Sequence, residues 1–164
     1  MNYFVEPMLP TDWEQVRGIY LAGIATRNAT FETEAPEWER WNASHLPFGL
    51  LVAQADYVLL GWGALSPVSE RCCYAGVAEA SVYVALDHRG QGIGEALLGG
   101  LIEDSEKHGI WMLQAGIFPE NVASLGLVKK CGFREVGVRQ RIGKQGDRWR
   151  DVRLLERRST KVGC

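Results

Sequence analysis

The chain has 164 residues, 46% hydrophobic and 23% charged, with a formal net charge of −2 at pH 7. That length suits one domain (residues 1–164) with a substantial core and leaves too little for two. The balance of charge gives no broad basic surface for nucleic acid, and no apolar run approaches the roughly 20 residues of a membrane span. Residues 1–6 lack the basic and apolar regions of a signal peptide, so the expected compartment is the cytoplasm. Cys72, Cys73, Cys131 and Cys164 show no metal-ligand spacing, and they read as reduced, small apolar side chains with no metal.

In chain order, residues 1–8 read as a strand. Thr11 or Asp12 then caps a helix on which Trp13, Val16, Ile19, Tyr20 and Ile24 recur at helical spacing. Residues 25–41 are polar, aromatic and broken by Pro36, which predicts an irregular loop facing substrate and a short helix from about Pro36. Residues 50–53 and 57–65 read as a hairpin around Gln54-Ala55-Asp56, closed by Ser66-Pro67. A strand follows over 77–85. Ile93, Leu97, Leu98, Leu101, Ile102 and Ser105 then form one helical stripe that ends at Gly109. Residues 111–118 read as a strand, 121–130 as a short helix, and 133–138 with 148–156 as a closing antiparallel pair. The order predicts an α/β domain with a mixed, largely antiparallel central sheet flanked by helices.

Ser81-Val82-Tyr83-Val84 leads through a short turn into Arg89-Gly90-Gln91-Gly92-Ile93-Gly94-Glu95 and the next helix. Glycines let backbone N–H groups approach a ligand, and a helix N-terminus favours negative charge, so the segment reads as a phosphate cradle. A Walker loop would end in Gly-Lys-Ser/Thr, which Gly94-Glu95-Ala96 does not. A dinucleotide fingerprint spaces its glycines as Gly-x-Gly-x-x-Gly, whereas Gly90, Gly92 and Gly94 alternate strictly.

Arg89-x-x-Gly92-x-Gly94 resembles the acetyl-CoA motif of the GNAT superfamily of N-acetyltransferases. Asn121-x-x-Ser124 and Cys131-Gly132-Phe133 follow in the family's order. Ala29-Thr30-Phe31-Glu32, Leu65-Ser66-Pro67 and Glu79-x-Ser81-Val82-Tyr83-Val84 are similar to the phosphinothricin/methionine sulfoximine acetyltransferase branch. Gly146-Asp147-Arg148-Trp149-Arg150-Asp151-Val152 is similar to that branch's Gly-Arg-Trp-x-Asp-Val pattern, with Asp147 inserted. The resemblance spans about Tyr3 to Glu156. It implies a GNAT-like domain in which acetyl-CoA is the cosubstrate and an amine attacks the thioester directly.

On that resemblance, Val82, Tyr83 and Val84 present backbone groups to the pantetheine and thioester. The amides of Arg89, Gly90, Gln91, Gly92, Ile93, Gly94 and Glu95 take the pyrophosphate. Asn121 bonds the pantetheine arm, and Ser124 and Lys130 are further cofactor contacts. Glu79 is the expected general base: strand alternation puts it on one face with Ser81 and Tyr83, opposite Ala80, Val82 and Val84. The branch's histidine, four residues before the glycine of Gly-Phe, is replaced by Val128, which cannot donate a proton. His45 and His88 are not substitutes for it in sequence.

Phe31, Glu32, Trp62, Arg71, Tyr74 and Trp149 are the candidates for the acceptor wall, with Arg71 as the group for an amino-acid carboxylate. The expected acceptor is a small amino acid or analogue such as methionine sulfoximine, methionine sulfone or phosphinothricin. The alternatives are another amine, such as a protein N-terminus or lysine, or a CoA-binding module with little catalysis. The resemblance also implies a homodimer.

Overall fold

The computed structural model describes residues 2–164. Its strands are β1 (Phe4–Pro7), β2 (Leu50–Ala55), β3 (Val58–Pro67), β4 (Val77–Val84), β5 (Met112–Ile117), β6 (Arg134–Gln145) and β7 (Arg148–Arg158). Its helices are α1 (Trp13–Ala25), α2 (Trp38–Ala43), α3 (Ile93–Lys107) and α4 (Val122–Lys130). The seven strands make one sheet in the order β1-β2-β3-β4-β5-β7-β6, antiparallel except where β4 meets β5. The expected α/β domain with a largely antiparallel sheet is what the chain forms. Of the strand expected over 1–8, Met1 lies outside the described residues.

Two cores flank the sheet. On one face Leu97, Leu98 and Leu101 of α3 and Leu125 and Val128 of α4 pack against Leu60, Leu65, Leu113 and Leu155. On the other, Trp13, Val16 and Tyr20 of α1 and Trp41 of α2 pack against Val52, Leu59, Trp62 and Ala64. β3 is buried on both sides because helices cover both faces, and it carries one bulge: Ala53 faces Gly61 and Gln54 faces Leu59, so Leu60 is the extra residue. The extra residue resets the alternation, sending Leu59 to the α1 face and Leu60 to the α3 face.

Several local expectations shift. The β2–β3 turn is Asp56-Tyr57, both with positive φ (48° and 66°), as a two-residue hairpin loop twisted with its strands requires; Gln54 and Ala55 stay in β2. Asp12 stands at the N-cap position of α1 but its side chain makes no cap bond: a 3-10 turn over Pro10–Asp12 runs straight into the helix, and the Asp12 carboxylate instead accepts from the Leu9 N–H (2.8 Å). α2 begins at Trp38 because Glu37 is still extended (ψ 162°). β6 continues well past Val138, where the sequence shows no apolar alternation, since this edge strand is exposed on nearly its whole length.

Gly61 ties packing to the site. A β-carbon there would stand 2.8 Å from the Tyr83 carbonyl oxygen and 3.0 Å from Leu97. Gly61→Ala is therefore expected to destabilise by about 1–3 kcal/mol through overpacking, measured as a shift of the urea unfolding midpoint.

Candidate active site

The site begins where two strands part. β4 and β5 pair only at Val77↔Met112, Ala78↔Leu113 and Glu79↔Gln114. Beyond that step β4 remains bonded to β3 as far as Val84, and β5 to β7 as far as Ile117. The gap is a narrow cavity of about 100 Å³ between Ala80–Tyr83 on one side and Ala115–Ile117 on the other, floored by Asn121, Ser124, Leu127 and Val128 of the α4 end. Backbone groups on the facing edges of the two strands have no partner strand there, so an extended polar chain can pair with them.

The glycine segment stands beside this slot. Gly90 and Gly92 have φ of 76° and 81°, and a β-carbon on either would meet nothing within 4 Å. Gly92 is the left-handed N-cap of α3, and the Ala96 N–H is the first to bond back, to the Gly92 carbonyl (3.1 Å). The preceding helical N–H groups remain free for an anion. Gly94 serves packing: a β-carbon there would be 3.1 Å from Leu127 and 3.6 Å from Val84. Asn121 caps α4, accepting from the Ser124 N–H (3.2 Å), while its amide donates to the Asn28 carbonyl (3.1 Å). Lys130 is held by Glu95 (2.8 Å), which raises its pKa.

Two wider clefts open on the other side. One, about 690 Å³, is lined by Tyr20, Glu32, Trp41, His45, Trp62, Ser66 and Glu79, among others. The second, about 420 Å³, is lined by Phe31, Glu79, Gln114, Phe118, Arg139 and Ile142, among others. Ser81 and Tyr83 border all three cavities, so the slot and both clefts meet at these residues. Glu79 sits at the fork itself, accepting from the Gln114 amide (3.4 Å), and borders both clefts. Val82 and Val84 pack into the α3-side core while Tyr83 packs on the α1 side, as the alternation requires.

Tyr83 is set by aromatic packing. It stacks on buried Trp62 (4.6 Å, 10°) and meets Tyr20 edge-on (5.2 Å). Gly23 of α1 makes room for it, since a β-carbon there would be 2.7 Å from the ring. Burial pushes the Tyr20 hydroxyl up to about 12, with the Glu32 charge adding to it. Burial likewise raises Tyr83, so both remain protonated at neutral pH.

The wall facing Tyr83 is the loop after α1, and one arginine pins it. Buried Arg150 donates to the Arg27 carbonyl (2.8 Å), to Asn28 (3.1 Å), to Glu120 (3.2 Å) and to Gln145, with its guanidinium 3.9 Å over the Phe118 ring. Arg27 itself is left-handed (φ 63°). Arg148 and Arg150 together hold the exposed Glu120, whose carboxyl lies below its usual range, first through its own backbone N–H and then through Arg150.

Of the acceptor candidates, Phe31, Glu32 and Trp62 line the clefts; Arg71, Tyr74 and Trp149 line neither. Arg71 lies over the Tyr74 ring (5.5 Å) in an exposed turn. Trp149 faces outward between Arg141 and Lys144, because strand alternation turns its neighbour Arg150 inward instead. Val128 is buried in the α3-side core. His45, set aside on sequence grounds, does line the larger cleft. It stacks on Trp41 (4.0 Å), and its Nδ1–H donates to the Trp41 carbonyl (2.6 Å), which leaves Nε2 as the acceptor nitrogen. Only the fold, which sets Trp41 of α2 edge-on against Trp62, brings it there.

A family model described as the acetyltransferase (GNAT) family matches residues 13–133. The chain belongs to this family. It is 36% identical over 155 residues to a phosphinothricin N-acetyltransferase of Alcaligenes faecalis, covering 89% of this chain and 77% of the relative. It is 32% identical over 134 residues to an L-methionine sulfoximine/L-methionine sulfone acetyltransferase of Pseudomonas aeruginosa, covering 81% and 73%. A GNAT superfamily phosphinothricin acetyltransferase from Sinorhizobium meliloti, solved in complex with acetyl-CoA, shares the fold at TM-score 0.88 and 23% identity, covering 99% of this chain and 91% of that one. As a member of the GNAT acetyltransferase family the chain uses acetyl-CoA, and the residues present fit it: an open glycine cradle for phosphates beside a slot edged with unpaired backbone. Among the described residues there is no cluster suited to a metal and no helix long and apolar enough to cross a membrane.

Gly92→Ala forces a side chain into the left-handed region and is expected to cost about 1–2 kcal/mol while weakening acetyl-CoA binding, both read by calorimetry. Burial holds the His45 imidazole below its usual 6.5, against the pull of the Trp41 carbonyl. The unfolded chain then takes up this proton first as pH falls, so the stability from His45 is complete above about 6.5 and is lost below it. His45→Gln is expected to flatten that part of the decline in urea unfolding between pH 8 and 5.

Proposed function

We propose that this acetyltransferase acetylates the amine of a small amino acid or amino-acid analogue, of the methionine sulfoximine, methionine sulfone or phosphinothricin kind, with Glu79 as general base. The observation that carries the reading is the junction at Ser81 and Tyr83, where a slot for an extended cofactor arm meets two clefts that share one carboxylate. The activities for which the relatives from Alcaligenes faecalis and Pseudomonas aeruginosa are named support the acceptor class.

Acetyl-CoA supplies an acyl group already activated as a thioester, so the chain needs no nucleophile of its own. Its residues have three tasks. The edges of β4 and β5 and the N-terminus of α3 align the cofactor. Glu79, held at the fork by Gln114, accepts the proton that the amine must lose to become nucleophilic, directly or through one water. The backbone N–H groups left free along the parted strands would be the donors to the thioester carbonyl oxygen as it gains charge. Acyl transfer breaks the C–S bond, and the departing CoA thiolate takes up, through solvent, the proton that the amine releases, since Val128 has none to give.

The test is release of CoA thiol across a panel of amino-acid analogues. Glu79→Gln is expected to lower kcat roughly 100-fold or more while the acetyl-CoA Kd stays within about twofold. Equal loss of both would make Glu79 a structural residue, and no amine-dependent thiol release by the wild type would end the acetyltransfer reading.

A further inference from the structure

We propose that Arg139 is the specificity residue of the smaller cleft, binding the α-carboxylate of the acceptor while Phe31, Phe118 and Ile142 take an uncharged side chain. The inference rests on the amino-acid reading above and adds the anchor that Arg71, in its exposed turn, does not provide.

Arg139 is the only cation among the residues lining this cleft, and Glu79 is the only anion. The opposing walls are apolar: Phe31 packs edge-on against Phe118 (4.9 Å), with Ile142 and Leu154 beside them. An ammonium, a carboxylate and an apolar chain on one carbon match that pattern of carboxylate, guanidinium and aromatic wall.

The pairing of the neighbouring arginines isolates Arg139. Arg134, Arg148, Arg150, Arg153 and Arg157 each have a glutamate within 4.0 Å, and Arg141 lies over the Trp149 ring. Among the described residues the Arg139 guanidinium has no carboxylate and no hydrogen-bond acceptor. A guanidinium bordering a cleft without a protein partner is free to form a bidentate pair with a carboxylate.

The backbone places it there deliberately. β6 pairs Arg139 with Val152 and next pairs Gly143 with Arg150, so three residues, 140–142, stand opposite Asp151 alone. The bulge is fixed by Arg141 at φ 49°, whose N–H donates to the Asp151 carboxylate (2.8 Å). In an unbroken strand residues three apart would face opposite sides; the bulge brings Arg139 and Ile142 to the same cleft. Gly143 completes the wall, since a β-carbon there would be 2.9 Å from the Phe31 ring.

The experiment compares two acceptors with the same side chain, L-methionine sulfone and 3-(methylsulfonyl)propylamine, which lacks only the carboxylate. Arg139→Gln is expected to raise KM for the amino acid about 10- to 100-fold, the range for a charged hydrogen bond, with kcat/KM for the amine within about twofold of wild type. Arg139→Lys should recover part of the amino-acid affinity, and thermal unfolding of both variants should match wild type because the side chain is exposed. Equal losses on the two acceptors, no loss on either, or a wild type that prefers the amine would each overturn the proposal. A wild type that releases no thiol with any amine would instead overturn the acetyltransfer reading on which it rests.

Discussion

The parting of β4 from β5 after Glu79 and Gln114 is the constraint on which the rest of the molecule depends. Each strand is committed on its other side, β4 to β3 and β5 to β7, over steps that run past the fork. Closing the gap would cost those ladders, so the opening is held by hydrogen bonds elsewhere in the sheet. The elements around it solve the problem the fork creates. α3 and α4 fill the space below with leucines and Val128, and the loop after α1 covers it from above, where Ala29 borders the slot.

Packing then fixes what the fork exposes. Tyr83 is wedged between Trp62 and Tyr20 in a place that Gly23 vacates, which leaves its strand little freedom to slide. Gly94 lets α4 sit against the start of α3, so the phosphate cradle and the floor of the slot form one body. Local glycine choices and a single bulge in β3 thus set distances on which the chemistry relies.

Much of this was legible in the sequence, and the parts that were not share a cause. The alternation in 79–84 and the glycine spacing of 90–94 are local patterns, and they marked the faces of β4 and the start of α3 correctly. The Asn121 cap was equally readable, because its partner is three residues away. His45, Arg139 and Arg150 carried no such signal. Arg150 meets Arg27 across 123 residues of chain, and a single arginine in a strand rich in them looks like a solvated charge. Arg71 and Trp149 border neither cleft, because Arg71 lies in an exposed turn and Trp149 is on the outward face of its strand. A bulge of three residues in β6 cannot be counted from sequence, although it decides which arginine turns toward Glu79.

The Arg150 clamp sets how much ordering is left for a ligand to impose. The segment it pins, residues 27–31, contributes Ala29 to the cofactor slot and Thr30 and Phe31 to the acceptor clefts. A wall held in place before any ligand arrives leaves little ordering entropy for either ligand to lose. One buried guanidinium thereby pre-shapes the segment that the adjoining cavities share.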